Sequence, residues 1–171
     1  MAIRQLNDFV GIWTGRKSPE RLTYSRRRLI LAIVTACLAA YLAHSSLLGL
    51  NAMHALMKIV CELAVLVIGL RFARTTSTSR YRQLVMTYVL FLVSLTGDAL
   101  LWLLSFIPIQ SGFGNARQFV AFAVMTGMAF GAVNAVRYGL SVNWRMASAY
   151  VLGYIALAVL LYEIVSMALP D

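Results

Sequence analysis

The chain has 171 residues, of which 61% are hydrophobic and only 12% are charged. A soluble domain is typically about 45–50% apolar and about 25% charged, so this composition excludes an ordinary soluble domain and indicates an integral membrane protein. The net charge of +9 does not indicate nucleic-acid binding, because the basic residues stand in clusters between long apolar segments.

Five apolar segments are each long enough to cross the hydrocarbon core as a helix. Backbone polar groups must be satisfied inside a membrane, and no segment alternates as the strands of a barrel do. The sequence therefore predicts an all-α, polytopic membrane protein with one five-helix transmembrane bundle over residues 29–171. The approximate spans are Leu29–Ser46, Ala52–Leu70, Leu84–Ile107, Phe119–Val136 and Met146–Met167.

The distribution of basic residues predicts the orientation. All Lys and Arg residues except Lys58 and Arg117 precede the first span or stand in the second–third and fourth–fifth connections. The positive-inside rule then predicts a cytoplasmic N-terminus and a periplasmic C-terminus in a bacterial inner membrane. The basic residues expected to meet anionic lipid headgroups at the cytoplasmic surface are Arg16, Lys17, Arg26, Arg27, Arg28, Arg71 and Arg74.

Residues 1–28 form a basic cytoplasmic leader ahead of the first span. Its apolar residues recur at helical spacing, with Arg4 and Asp8 on the opposite side. This pattern predicts an amphipathic helix lying in the membrane interface, with Trp13 at the level of the headgroups. A disordered basic leader is the alternative reading.

Ionisable residues inside the spans need a reason, because each costs a few kcal/mol in a bilayer. His54, Lys58 and Glu62 follow one another at intervals of four and share one helix face. Asp98 lies in the third span and Glu163 near the outer end of the fifth. Lys58 is expected to pair with Glu62, with Asp98 or with both. Such a pair either fixes helix packing, within this chain or against a partner, or belongs to a proton or ion path.

The histidines and cysteines do not predict a cofactor. His44 and His54 flank the first outer turn, and a haem held between them is the one cofactor arrangement that they offer. We expect no haem, because both histidines lie near the water boundary. Cys37 and Cys61 lie inside apolar segments and show no metal-binding spacing, so we expect buried thiols and no metal.

Small residues recur every four positions along the fourth span, and the pattern includes a GxxxG motif. A face of this kind allows close helix–helix packing. The packing partner is either another span of this chain or a span of another protein. The residues expected on this face are Ala123, Gly127, Gly131, Asn134 and Ala135.

Three stretches resemble a family of small, uncharacterised five-helix inner-membrane proteins of proteobacteria. They are "SPERLTYS" (18–25), "YRQLVMTYVLFLVSLTGDALLWLL" (81–104) and "AVRYGLSVNW" (135–144). This resemblance implies a fold and marks Asp98 and the leader, but it implies no activity. In topology alone, five spans after a cytoplasmic N-terminus are similar to Yip-type membrane proteins, which organise membranes and trafficking.

No protease, hydrolase, P-loop or dinucleotide-binding motif is present, so we expect a non-enzymatic protein. The sequence favours an accessory or scaffold subunit that binds other integral membrane proteins, or further copies of itself, through small-residue and polar helix faces. The alternative is a small proton- or ion-coupled transporter that uses Glu62, Asp98 and Lys58.

Overall fold

The computed structural model describes residues 2–14, 16–17, 25–47, 49–73, 80–107 and 114–168. The regular structure of these residues is entirely α-helical. Five helices, α2 to α6, are long and apolar enough to cross a membrane, which confirms the predicted number of spans. The helices are α1 (Ala2–Trp13), α2 (Arg26–Leu47), α3 (Ala52–Ala73), α4 (Arg80–Ser105), α5 (Gly114–Leu140) and α6 (Trp144–Ser166).

Side-chain caps mark the beginnings of three helices. The Ser25 hydroxyl accepts a hydrogen bond from the backbone N–H of Arg28 at the start of α2 (3.2 Å). Asn51 accepts one from the N–H of His54, and Asn143 accepts one from the N–H of Met146 (both 2.9 Å). These caps satisfy backbone donors that have no partner within the helix. Hence α2 begins at its arginines, slightly before the predicted apolar span.

The five long helices form a closed ring. Around the ring, α2 packs on α4, α4 on α5, α5 on α6, α6 on α3, and α3 back on α2. Helices that follow one another along the chain from α2 to α6 run in opposite directions. The contact between Arg82 at the start of α4 and Ser141 after α5 illustrates this for one pair. The ring therefore has one end at Arg26, which we call the Arg26 end, and an opposite end at Ser105, the Ser105 end.

The half of the ring nearest the Arg26 end has a mostly apolar interior, in which Gln83 and Asn134 are the buried polar side chains among the described residues. The first third of α4 packs there against the last part of α5 and the beginning of α6, through residues such as Val89, Val136 and Ala147. A second group joins α2, α3 and α4, and we call it the apolar layer. It consists of Ala32, Ala36 and Phe91 with their neighbours Leu63 and Leu66.

Helix α1 packs against α5. Ile12 is fully buried there, and the rings of Phe9 and Trp13 meet edge to face with their centroids 5.5 Å apart. After the helix ends, the chain turns back and Lys17 forms a 2.7 Å ion pair with Asp8. The position of α1 relative to a membrane surface stays a prediction. Residues 18–24 of the leader, and Arg74, lie outside the described residues.

Candidate functional site

Ionisable side chains from three helices meet in the half of the ring nearest the Ser105 end. His44 belongs to α2, Lys58 and Glu62 to α3, and Ser94 and Asp98 to α4. We call these five residues the charged cluster. Glu62 is its centre, because its Oε1 atom lies 3.0 Å from Lys58 Nζ and 3.6 Å from His44 Nε2.

Asp98 is the most buried carboxylate of the cluster, with 6% of its surface exposed. The Ser94 hydroxyl donates a 2.7 Å hydrogen bond to its Oδ2 atom. His44, Glu62 and Lys58 lie within electrostatic range of Asp98. Of the two partners expected for Lys58, the structure therefore pairs it with Glu62 and places Asp98 close to that pair.

Helix α6 contributes two tyrosines at the border of the cluster. The Tyr154 hydroxyl donates a 3.3 Å hydrogen bond to the backbone carbonyl of Glu62. The ammonium of Lys58 lies 5.6 Å from the centre of the Tyr162 ring, within the range of a cation–π contact. Side chains of α2, α3, α4 and α6 thus surround Glu62.

The short polar contacts of the cluster lie within single helices. Lys58 and Glu62 are one turn apart on α3, and Ser94 and Asp98 are one turn apart on α4. The contacts that join different helices are the longer ones, from His44 and Tyr154 to Glu62. The ion pair of Glu62 with Lys58 is therefore internal to α3 and the hydrogen bond of Asp98 is internal to α4, whereas His44 of α2 has its contact across helices.

The cluster is partly accessible, whereas the neighbouring half of the ring is closed. The side chains of Lys58 and Glu62 are 20% and 29% exposed. Toward the Arg26 end, the apolar layer fills the space between α2, α3 and α4. The exposed parts of Lys58 and Glu62 lie at the outside of the ring, and the apolar layer lies on the side of the cluster toward the Arg26 end.

The remaining predicted polar residues lie outside the cluster. His54 places its Nδ1 atom 2.8 Å from the side chain of Asn51, at the start of α3. Glu163 is exposed near the end of α6. His44 and His54 face different partners, and no group of three or more His, Cys, Asp or Glu among the described residues could hold a metal ion.

The small-residue face of α5 is largely covered by this chain. The Trp13 indole N–H donates to the carbonyl of Gly127, and the Asn134 side-chain amide donates to the carbonyl of Trp13 (3.2 Å). Gly131 and Ala135 are buried, whereas Ala123 is exposed. The partner predicted within this chain was another span, and α4 does lie beside Gly131; but Trp13 of α1, which is not a span, covers Gly127 and Gly131.

Most of the predicted surface arginines are accessible. Arg16, Arg26, Arg27 and Arg71 are exposed, and the side chains of Lys17 and Arg28 are partly buried.

Sequence reasoning did not place His44 or Tyr154 at this site. The tight turn between α2 and α3 predicts that His44 lies beside the first turn of α3, whereas Glu62 lies in the third turn, so the sequence offers no signal for this contact. Tyr154 gives no signal either, since α6 meets α3 only through the order of helices around the ring.

Models of known protein families, curated proteins and solved structures were compared with the chain, and none of them matches it.

Proposed function

We propose that this protein is a small, non-enzymatic carrier that couples to the movement of protons or ions, with the charged cluster as its binding site. The observation that carries the proposal is the convergence of His44, Lys58, Glu62 and Asp98 from three helices inside the ring. Ionisable groups at membrane depth are costly, and they typically mark ion or proton pathways.

A purely structural role explains the cluster less well. A buried pair that fixes helix packing has to join two helices, as a polar residue in a coiled-coil core does. Here the 3.0 Å contact of Lys58 lies within α3, and the 2.7 Å contact of Asp98 lies within α4. The helices can therefore shift relative to one another while both short contacts persist, as a carrier that alternates between two conformations requires.

The apolar layer supports access to the cluster from one side at a time. In this conformation the cluster adjoins the Ser105 end, and the apolar layer separates it from the Arg26 end. Opening the layer requires α2 and α4 to separate near Ala36 and Phe91. The carrier would then expose the same carboxylates to the opposite side of the membrane.

The test is proton flux in proteoliposomes that contain a pH-sensitive dye. Flux driven by an imposed pH gradient should fall at least tenfold with Glu62→Gln or Asp98→Asn. Glu163→Gln is the matched control, because it removes an exposed carboxylate outside the cluster and should leave flux unchanged. Parent protein that gives no flux above empty liposomes, across a panel of gradients, would contradict the proposal.

A second candidate is the accessory subunit, and α6 supplies the observation that favours it. Ala149, Gly153 and Ala156 are exposed along this helix, and nothing lies within 4 Å of a Cβ placed on Gly153. Outward-facing small residues allow another membrane helix to approach closely. A tagged protein extracted in mild detergent should then retain a membrane partner in stoichiometric amount, or a second copy of itself. The Gly153→Leu variant should lose this bound partner or copy.

The membrane placement belongs to the same proposal. Basic residues at the Arg26 end favour a cytoplasmic location for that end, in contact with anionic lipid headgroups, and a bacterial inner membrane as the host. Trp13 contacts α5 at Gly127, midway along that span, so the end of α1 lies at the depth of the bundle and only the beginning of α1 remains for the interface. A reporter that is active only in the periplasm should be active when fused after Leu47 or after Ser166, and a reporter that is active only in the cytoplasm should be inactive there. Activity of the cytoplasmic reporter at either point would overturn this orientation.

A further inference from the structure

The imidazole of His44 holds an unusual position in the charged cluster. Its Nε2 atom is buried and has no hydrogen-bond partner among the described residues. It faces Glu62 Oε1 at 3.6 Å, while Lys58 already approaches the same oxygen at 3.0 Å. Two nitrogen atoms from different helices thus compete for one carboxylate oxygen, and Lys58 makes the shorter contact.

The charges of the cluster do not balance when His44 is neutral. With a neutral His44 and both carboxylates ionised, the cluster contains one ammonium and two carboxylates. One negative charge is then uncompensated in a setting where buried charge is costly. A single proton on His44 neutralises the cluster and supplies the donor that Nε2 lacks.

The charged and titratable groups around His44 are consistent with a bound proton. From α3 it faces Glu62 with Lys58 beside it, and from α4 the carboxylate of Asp98 acts on it. Tyr154 lies near both carboxylates, and Cys37 of its own helix lies near Glu62. Two carboxylates and one ammonium therefore lie around the ring.

We infer that His44 is the proton-binding residue of this site, and that its protonated Nε2 displaces Lys58 from Glu62 Oε1. This inference rests on the proposed carrier function and specifies the coupling ion as a proton. A hydronium ion transfers its proton to the lone pair of Nε2: an N–H bond forms, one O–H bond of hydronium breaks, and a neutral water molecule leaves. The released ammonium remains close to Asp98 and to the Tyr162 ring.

A metal ion fits the same position poorly. Lys58 already occupies Glu62 with a positive charge, so a metal cation would have to expel it. No group of three potential metal ligands exists among the described residues. A proton needs only one basic atom, and His44 supplies it.

The test uses the two histidines of the chain. In the full-length His54→Gln variant, 15N-histidine labelling in lipid nanodiscs leaves His44 as the one reporter. We expect that lowering the pH converts its ring from the neutral form to imidazolium. Glu62→Gln should remove the imidazolium signal at a pH where the parent shows it, and Glu163→Gln should not. A ring that keeps one protonation state, or that titrates identically without Glu62, overturns the inference.

Flux measurements on the same preparations separate the two proposals. His44→Gln should abolish the pH dependence of flux while the helical fold, checked by circular dichroism, is retained. Flux with unchanged pH dependence in His44→Gln overturns the role of His44 and leaves the carrier standing. A titrating His44 in a protein that carries nothing overturns the carrier and leaves the proton-binding site standing.

Discussion

Trp13 and Gly127 are joined by a 2.5 Å hydrogen bond from the indole N–H to the backbone carbonyl, across 114 positions of the chain. The bond forms because the neighbouring residue one turn later is also glycine. A Cβ on Gly131 would lie 3.0 Å from the Trp13 ring and 3.2 Å from the side chain of Val93. The glycines of α5 therefore provide the surface on which α1 and α4 pack.

Replacing Gly131 with leucine should destabilise the protein by about 1–3 kcal/mol, the usual cost of overfilling a packed site. The added side chain has to displace Trp13 or Val93. Unfolding in detergent, followed by tryptophan fluorescence, measures this change. Gly153→Leu is the control, because that position opens onto free space. Equal stability of the two variants would contradict the packing described for α5.

Trp13→Phe should remove the hydrogen bond to Gly127 while it keeps most of the ring contact with Phe9. Hydrogen bonds between membrane helices contribute about 0.6 kcal/mol on average and rarely exceed about 1.7 kcal/mol. We expect a loss in this range, together with faster proteolysis of the leader at Lys17. Trp144→Phe, on an exposed aromatic that packs on Phe130, serves as the control. Unchanged proteolysis would show that this bond does not hold α1.

Lys58→Met should destabilise the bundle more than Lys58→Met combined with Glu62→Gln. The single variant leaves a carboxylate without its cation, whereas the double variant removes both charges. The pair is partly exposed, so we expect a loss between the about 0.5 kcal/mol of a surface pair and the about 3 kcal/mol of a buried one. A double-mutant cycle on detergent unfolding measures the coupling, and zero coupling would contradict the ion pair.

Asp98→Asn should raise the thermal stability of the protein while it lowers proton flux. The amide carbonyl still accepts the hydrogen bond from Ser94, and a costly buried charge disappears. Such a gain in stability with a loss of activity is common where a functional group destabilises the folded protein. Thermal unfolding measures the predicted gain in stability, and flux assays on the same preparation measure the predicted loss of proton flux. A fall in stability would assign Asp98 a structural role.

Gly97→Val should destabilise the protein by about 1–3 kcal/mol, because a Cβ at this position overlaps the flexible side chain of Met128 on α5, which then has to move. Met128→Ala in the same chain should restore much of the loss, since it creates the space that valine needs. Thermal unfolding of both single variants and the double variant measures the rescue. Additive effects would show that the two residues do not share a contact.

The sequence alone was sufficient for the number, approximate limits and helical nature of the spans. Each of these follows from local properties, namely the length of an apolar segment and the need to satisfy backbone hydrogen bonds within lipid. The contact of Lys58 with Glu62 was one of three alternatives that the sequence offered, with Glu62, with Asp98 or with both, because residues four apart on a helix are neighbours whatever surrounds them.

Tertiary structure decided the order of helices around the ring, and with it the composition of the site. A pattern along one helix shows which residues share a face, but not which helix that face meets. Hence the small residues of α5 predicted a packing surface without indicating Trp13 as its occupant. His44 and Tyr154 likewise join Glu62 only because α2 and α6 both pack on α3, a relationship set by the simultaneous packing of all five spans.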